Sequence, residues 1–256
     1  MLEALLWDVD GTLAETEHDG HLVAFNQAFA QLGVPWRWSE QRYVELLAIT
    51  GGRERLLHDL RSQPWAPVDA DARAALAERV HALKNERYAR IVAGGGIPLR
   101  DGVRALFDDC TQAGVAMAIV TTTSRANLHA LLAAHLGSGW PARFAVVVCG
   151  EDVARKKPDP QAYLLALGAL GLAAHDTLAI EDAPAGVAAA RAAGVPVVVT
   201  RSRYFAAAPH DGVLALGPSL GSGRGWQPAA AAPDRRIGLP QLARWHRTHT
   251  PHQGDR

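Results

Sequence analysis

"ALLWDVDGTLAETEHDG", residues 4–20, begins as a wholly apolar run and breaks at Asp8 into an acidic stretch. Four apolar residues with no polar face read as a strand buried on both sides, the kind found in parallel sheets. Asp8 and Asp10 stand directly at its carboxyl end, where open parallel sheets collect their ligands. Glu15, Glu17 and His21 follow within eleven residues of Asp10.

The rest of the chain supplies the sheet. From Val103 onward, helix-spaced apolar positions alternate with short apolar runs: "VAMAIVT", "RFAVVVCG", "DTLAIED" and "VPVVVT" are strands, and "DGVRALFDDCTQAG", "SRANLHALLAAHLG", "DPQAYLLALGALG" and "PAGVAAARAAG" are helices. That alternation predicts an α/β fold, a parallel sheet with helices on both faces. Ser124 is the expected cap of its helix, and Gly114 and Gly137 are expected stops. Between the first strand and Val103 no strand pattern occurs. "HLVAFNQAFAQLG", "SEQRYVELLAI", "RLLHDL" after a "TGGRER" break, and a helix over about 71–92 predict an all-helical insert. The expected division is a discontinuous core, 1–13 and 96–256, around an inserted unit, 14–95, with "AGGG" as the return hinge. Residues 201–236 offer one weak strand, "GVLAL", and "LPQLARWHRTH" is expected as a last helix on the surface.

Composition narrows the function. Lys plus Arg and Asp plus Glu both number 26, so no global field favours nucleic acid or an anionic membrane. Neither a signal segment nor an apolar span of membrane length is visible, and a cytoplasmic protein is expected. Cys110 and Cys149 lie in apolar segments and read as core thiols. Only three of the 26 cationic residues are lysines, Lys84, Lys156 and Lys157, so each marks a place where arginine was not used.

Four strand ends carry polar groups: Asp8 and Asp10, Thr121 to Ser124, Lys156 and Lys157, and Glu181 and Asp182. Singly, each fits a cap, a turn or a solvated face. Together they place carboxylates that repel unless a cation lies between them, and an all-oxygen set favours magnesium. A nearby lysine and a hydroxyl-bearing turn complete an anion site suited to phosphoryl transfer.

"DVDGTLAETE", "AIVTTTS", "KKPDP" and "LAIEDAPAGVAAARAAG" resemble, in order and spacing, the four motifs of the haloacid dehalogenase superfamily. The resemblance implies a Rossmann-like core with a helical cap and a magnesium-dependent phosphatase that works through an aspartyl-phosphate. By that resemblance Asp8 is the nucleophile and Asp10 the general acid and base. Thr122, with the N–H of Thr123 and the following Ser124, binds the phosphoryl group, a slip to Thr121 being open. Lys157 holds phosphoryl and nucleophile together. Asp8, Asp182 and the carbonyl of Asp10 ligate Mg2+, with Glu181 behind or on a metal water. Ala183 departs from the Ser of many relatives.

The insert carries a closer likeness. "AETEHDGHLVAFNQAFAQLGVPWRW", "TGGRERL" and "HALKNERYARIVAGGGIPLRDGV" resemble the CbbY branch, which hydrolyses xylulose 1,5-bisphosphate, a rubisco inhibitor, in organisms of the Calvin cycle. The likeness implies that Glu17 accepts from sugar hydroxyls, that Gly51, Gly52 and Arg53 cradle a second phosphate, and that His21 and Tyr43 belong to the pocket. The implied partner is a small sugar bisphosphate; nucleic acid and membrane are not expected, and the chain is expected to be a monomer. Glu15 has no role beyond a hinge contact, and Lys84 fits the cap's inner surface and a solvated helix equally. A β-phosphoglucomutase-like phosphotransferase, a phosphoglycolate-type phosphatase and a catalytically inactive interaction protein of the same fold are the competing readings.

Overall fold

The computed structural model describes residues 1–249. Its centre is a six-stranded sheet, β1 (Ala4–Trp7), β2 (Ala116–Val120), β3 (Val146–Val148), β4 (Thr177–Glu181), β5 (Val197–Thr200) and β6 (Ala215–Gly217), in the order β3-β2-β1-β4-β5-β6. Every pairing is parallel. All six sequence-predicted strands are present, including the weak one in "GVLAL".

The continuous apolar runs follow from the covering of both faces. Leu5 and Trp7 align with Met117 and Ile119 on one side and with Leu178 and Ile180 on the other. These six pack with Phe107 and Leu106 of α5 (Val103–Ala113) and with Leu128, Leu131 and Leu132 of α6 (Arg125–Leu136). The intervening Leu6, Ala118 and Ala179 face Ala162, Tyr163 and Ala166 of α7 (Gln161–Leu170) and Val187, Ala189 and Ala190 of α8 (Pro184–Ala192). Alternation thus divides one apolar strand between two cores.

From β1 the chain steps outward to β2 and β3, then crosses back to β4 and steps the other way. The reversal opens a crevice beyond the carboxyl ends of β1, β2 and β4.

The segment after β1 is helical throughout. A π-helical turn (Glu17–Leu22) leads into α1 (Val23–Gln31), followed by α2 (Glu40–Leu46), α3 (Gly52–Leu60) and the long α4 (Ala70–Ala93). Ser39 and Asp69 cap α2 and α4 by accepting the N–H groups of Arg42 and Ala72. Phe25, Phe29, Trp36, Trp38, Tyr43 and Leu46 form a core of their own. Within it the buried Asp59 accepts both Trp indole N–H groups, at 3.0 and 2.6 Å, and the guanidinium of Arg42. The structure moves one boundary. α3 begins at Gly52, so the break spans Thr50 and Gly51 and "GRER" is already helix. The return strand pairs beyond the glycines: Leu99 bridges Ala14, and the Arg100 N–H donates to Leu13 at 2.8 Å.

The last helix, α9 (Leu239–His249), is not merely superficial as expected. One face buries Leu242 and Trp245, with Trp245 stacked on Trp226 at 4.9 Å. Both cysteines are buried free thiols, and burial pushes each up to about 12, as the core reading expects. Among the described residues no helix is long and apolar enough to cross a membrane.

Candidate active site

The strand-end residues meet in the crevice. Lys157 is almost fully buried, and its Nζ lies 2.7 Å from Asp8 Oδ1, 2.6 Å from Glu181 Oε1 and 2.8 Å from the Val120 carbonyl. Burial opposes its charge, but the charges of Asp8 and Glu181 outweigh burial and hold its pKa above the usual lysine range. Glu181 Oε1 also accepts the Tyr163 hydroxyl.

Carboxylate oxygens of Asp8, Glu181 and Asp182 lie within 4.8 Å of one another, all three residues buried. One lysine against three carboxylates leaves the cluster electrostatically incomplete. Burial and then repulsion from Glu181 push Asp8 up to about 7, while burial and then Asp8 push Asp182 well above the carboxylate range. Asp182 Oδ1 is buried with no hydrogen-bond partner, and a Cβ at Gly11, the glycine after Asp10, would fall on the other oxygen of Asp182. An orphaned oxygen, three convergent oxygen donors and excess negative charge fit a hard divalent cation.

The side chain of Asp10 stands apart from this set, so any contribution from it to a cation is through its carbonyl. Its Oδ1 accepts the Thr16 hydroxyl at 2.6 Å and faces His21 Nε2 at 3.0 Å. Burial would raise its pKa, but the charge and hydrogen bond of His21, then Thr16, outweigh burial and hold Asp10 well below the usual carboxylate range. His21 is buried and stacked on Tyr88, ring centroids 4.4 Å apart. The π-helical turn therefore delivers His21 to Asp10 as well as to the pocket.

A cavity of about 750 Å³ lies above this centre, between the sheet ends and the helical segment. Thr122, Thr123 and Ser124 line it and Thr121 does not. The N–H of Thr123 donates to Thr121 Oγ1 at 3.1 Å. Ser124 caps α6, its Oγ accepting from the Asn127 N–H at 3.3 Å.

On the helical side Glu17, His21, Gly51, Gly52 and Arg53 all line the cavity, and Tyr43 does not. Glu17 lines the cavity and also accepts the Tyr43 hydroxyl and the guanidinium of Arg55, at 3.4 and 3.5 Å. Tyr43 is fully buried behind Glu17 and forms no part of the wall. Arg53 lines the cavity as expected but is part-exposed, and its Nε donates to Glu78 at 3.0 Å. The buried arginine is Arg55, which sequence reasoning missed. Gly51 and Gly52 do line the cavity, but Glu54 and Lys156 crowd over Gly51.

Lys84 is buried in the wall, its Nζ over the rings of Phe25 and Tyr88 at 5.2 and 5.3 Å. Burial, aided by Arg55, brings its pKa down to about 8. His81, also unforeseen, lines the same wall, and burial followed by the Lys84 charge lowers it to about 4. All three lysines of the chain line this one cavity. Glu15 lies 3.3 Å from Arg100 Nε and accepts the Arg203 N–H at 3.3 Å.

Comparison with known proteins agrees with this geometry. The haloacid dehalogenase-like hydrolase profile matches residues 2–194. The plasmid-borne protein CbbY of Cupriavidus necator is 45% identical over 252 residues, 96% of this chain and 97% of its own. The crystal structure of CbbY from Rhodobacter sphaeroides in complex with phosphate superposes with a TM-score of 0.81 at 39% identity, covering 86% of this chain and 96% of that one. A mutant of that protein in complex with xylulose 1,5-bisphosphate gives 0.81 at 38% identity, over 88% and 97%. The chain belongs to the haloacid dehalogenase-like hydrolases, in their CbbY branch.

Proposed function

We propose that this phosphatase hydrolyses xylulose 1,5-bisphosphate to xylulose 5-phosphate and phosphate, using Mg2+ and a phosphorylated Asp8. The carrying observation is the buried cluster of Asp8, Lys157, Glu181 and Asp182 at the floor of a cavity that also holds Asp10.

An Asp8 oxygen attacks phosphorus and the ester oxygen leaves with the P–O bonding pair, taking a proton from Asp10. Water then attacks the phosphorus of the acyl-phosphate and gives its proton to Asp10, and the bond to Asp8 breaks, restoring the carboxylate. Once Asp10 has given up its proton in the first step, His21 and Thr16 hold it as the carboxylate the second step needs. Lys157 keeps Asp8 oriented and charged. Asp8, Asp182, the Asp10 carbonyl and Glu181 would hold magnesium, which supplies charge neutralisation for the carboxylates and the phosphoryl oxygens.

The substrate reading is supported by the cavity's volume, by the polar Glu17 and His81 on its wall beside the cationic Lys84, and by the xylulose 1,5-bisphosphate complex of the R. sphaeroides relative. Lys84 and Arg53 are both cations of this wall that suit a second phosphate, Lys84 buried and Arg53 part-exposed. The inner two-part division, core 1–13 and 96–256 with cap 14–95, belongs to this proposal, as does a cytoplasmic setting in keeping with two free thiols.

Phosphate release with magnesium, compared across xylulose 1,5-bisphosphate, ribulose 1,5-bisphosphate, phosphoglycolate and β-glucose 1-phosphate, tests the proposal. The first ester should have the highest kcat/KM, and Asp8→Asn should abolish turnover. Preference for phosphoglycolate refutes the substrate, and glucose 6-phosphate formed from β-glucose 1-phosphate refutes hydrolysis as the principal reaction.

A further inference from the structure

Lys156 is the lysine that the chemistry above leaves unused. Its Nζ lies 2.8 Å from both carboxylate oxygens of Glu54, a residue 102 positions away in the first turn of α3. One residue on, the Lys157 carbonyl accepts the hydroxyl of Thr50. Two consecutive residues of the loop after β3 are therefore held by two residues that flank Gly51. Lys157 Nζ at the same time reaches inward to Asp8 and Glu181. The loop is fixed between helical segment and nucleophile at a single point.

Gly51 belongs to this arrangement. Its φ is +95°, and a Cβ there would fall on Glu54 Oε2 and lie 2.7 Å from Lys156 Nζ. Glycine at 51 thus makes room for the Glu54–Lys156 pair. Lysine suits the position too. A compact ammonium can sit between both oxygens of one carboxylate above a glycine, where a planar guanidinium needs more space.

The two side chains are 20% and 39% exposed, and an ion pair so placed adds little to stability. A weak contact between the helical segment and a catalytic loop is suited to breaking and re-forming during turnover.

We infer that Glu54 and Lys156 are positioning residues, a clasp that seats Lys157 on Asp8 when the helical segment closes over the sheet. The inference rests on the assignment of Asp8 and Lys157 made above, and not on the identity of the sugar.

The test compares wild type, Glu54→Gln, Lys156→Met and the reversed pair Glu54→Lys with Lys156→Glu. Steady-state kinetics use whichever ester of the phosphate panel the wild type turns over fastest, so a different preferred sugar changes the substrate and not the comparison. Each single variant should lower kcat about tenfold with KM within about threefold, and the reversed pair should recover most of the loss. Melting temperatures should stay within about 4 °C of wild type. Amide exchange of residues 150–157, measured without substrate, should quicken in both single variants and slow again in the reversed pair.

Wild-type kcat in the single variants overturns the inference, as does unchanged exchange. A rise confined to KM that charge reversal fails to correct also overturns it, since that pattern marks Lys156 as a direct substrate ligand.

Discussion

Replacing Glu17 tests substrate recognition, but the structure shows that the substituent decides what is learned. Glu17 faces the cavity with one role and the interior with another, because its carboxylate also accepts from Tyr43 and Arg55. Arg55 is 9% exposed, so Glu17→Ala strands a buried guanidinium and removes the acceptor of a fully buried phenol. Breaking a buried ion pair by deleting one partner costs about 3–5 kcal/mol. The long Arg55 contacts place this case at the lower end, and the phenol adds about 1 kcal/mol. At about 2–4 °C per kcal/mol for a chain of this size, Glu17→Ala should melt roughly 10 °C below wild type. Activity lost by that variant confounds folding with recognition. Glu17→Gln keeps the length and an oxygen for Tyr43, and should cost only about 1–3 kcal/mol. Assayed at 25 °C with fold integrity checked by circular dichroism, Glu17→Gln should lose about 100-fold or more in kcat/KM on the sugar bisphosphate. On para-nitrophenyl phosphate it should stay within a few-fold of wild type. Equal losses on both substrates refute the recognition role and leave Glu17 as a counter-charge for Arg55.

Lys157→Met removes the cation between Asp8 and Glu181, and phosphate release should fall by at least about 100-fold while urea denaturation registers a loss of about 3 kcal/mol or more. Magnesium should stabilise the protein in a pH-dependent way. The folded pKa of Asp8, about 7, exceeds the unfolded 3.8, so the metal-free protein loses stability as pH climbs from about 4 through about 7, by on the order of 4 kcal/mol. The magnesium-induced gain in melting temperature should therefore grow between pH 5 and 8, and a pH-independent gain refutes the carboxylate site. Lys84, brought down to about 8, is cationic below that pH and loses its charge above it. KM for the bisphosphate should rise as pH passes through about 8, and Lys84→Met should have a high, flat KM across the same range.

The sequence made the sheet and its chemistry legible because both are written locally. A strand buried on two faces must be apolar throughout, and a ligand site at its end must begin on the next residue, so Asp8 and Asp182 could be placed from the strand limits, while Thr122, two residues past Val120, could not be told from Thr121. The helical wall is harder for a reason its arginines make concrete. In "GGRER" two arginines stand two residues apart, and on an α-helix such residues point about 200° apart. Only one can turn into the buried wall beneath Glu17, and the helix start decides which. The glycines suggested that the helix begins after the loop and that Arg53 belongs to a phosphate cradle. Gly51 adopts a positive φ and Gly52 already opens α3, a register that leaves Arg53 part-exposed on the cavity wall beside Glu78 and turns Arg55 inward to Glu17. Nothing in the local pattern carries that choice. It depends on Glu17, 38 positions earlier, and on Glu54 meeting Lys156, 102 positions later. Lysine scarcity was the one sequence signal that reached across such distances. In a chain that otherwise uses arginine, lysine persists where a compact ammonium must fit among carboxylates, rings or a glycine, and all three such places open onto one cavity.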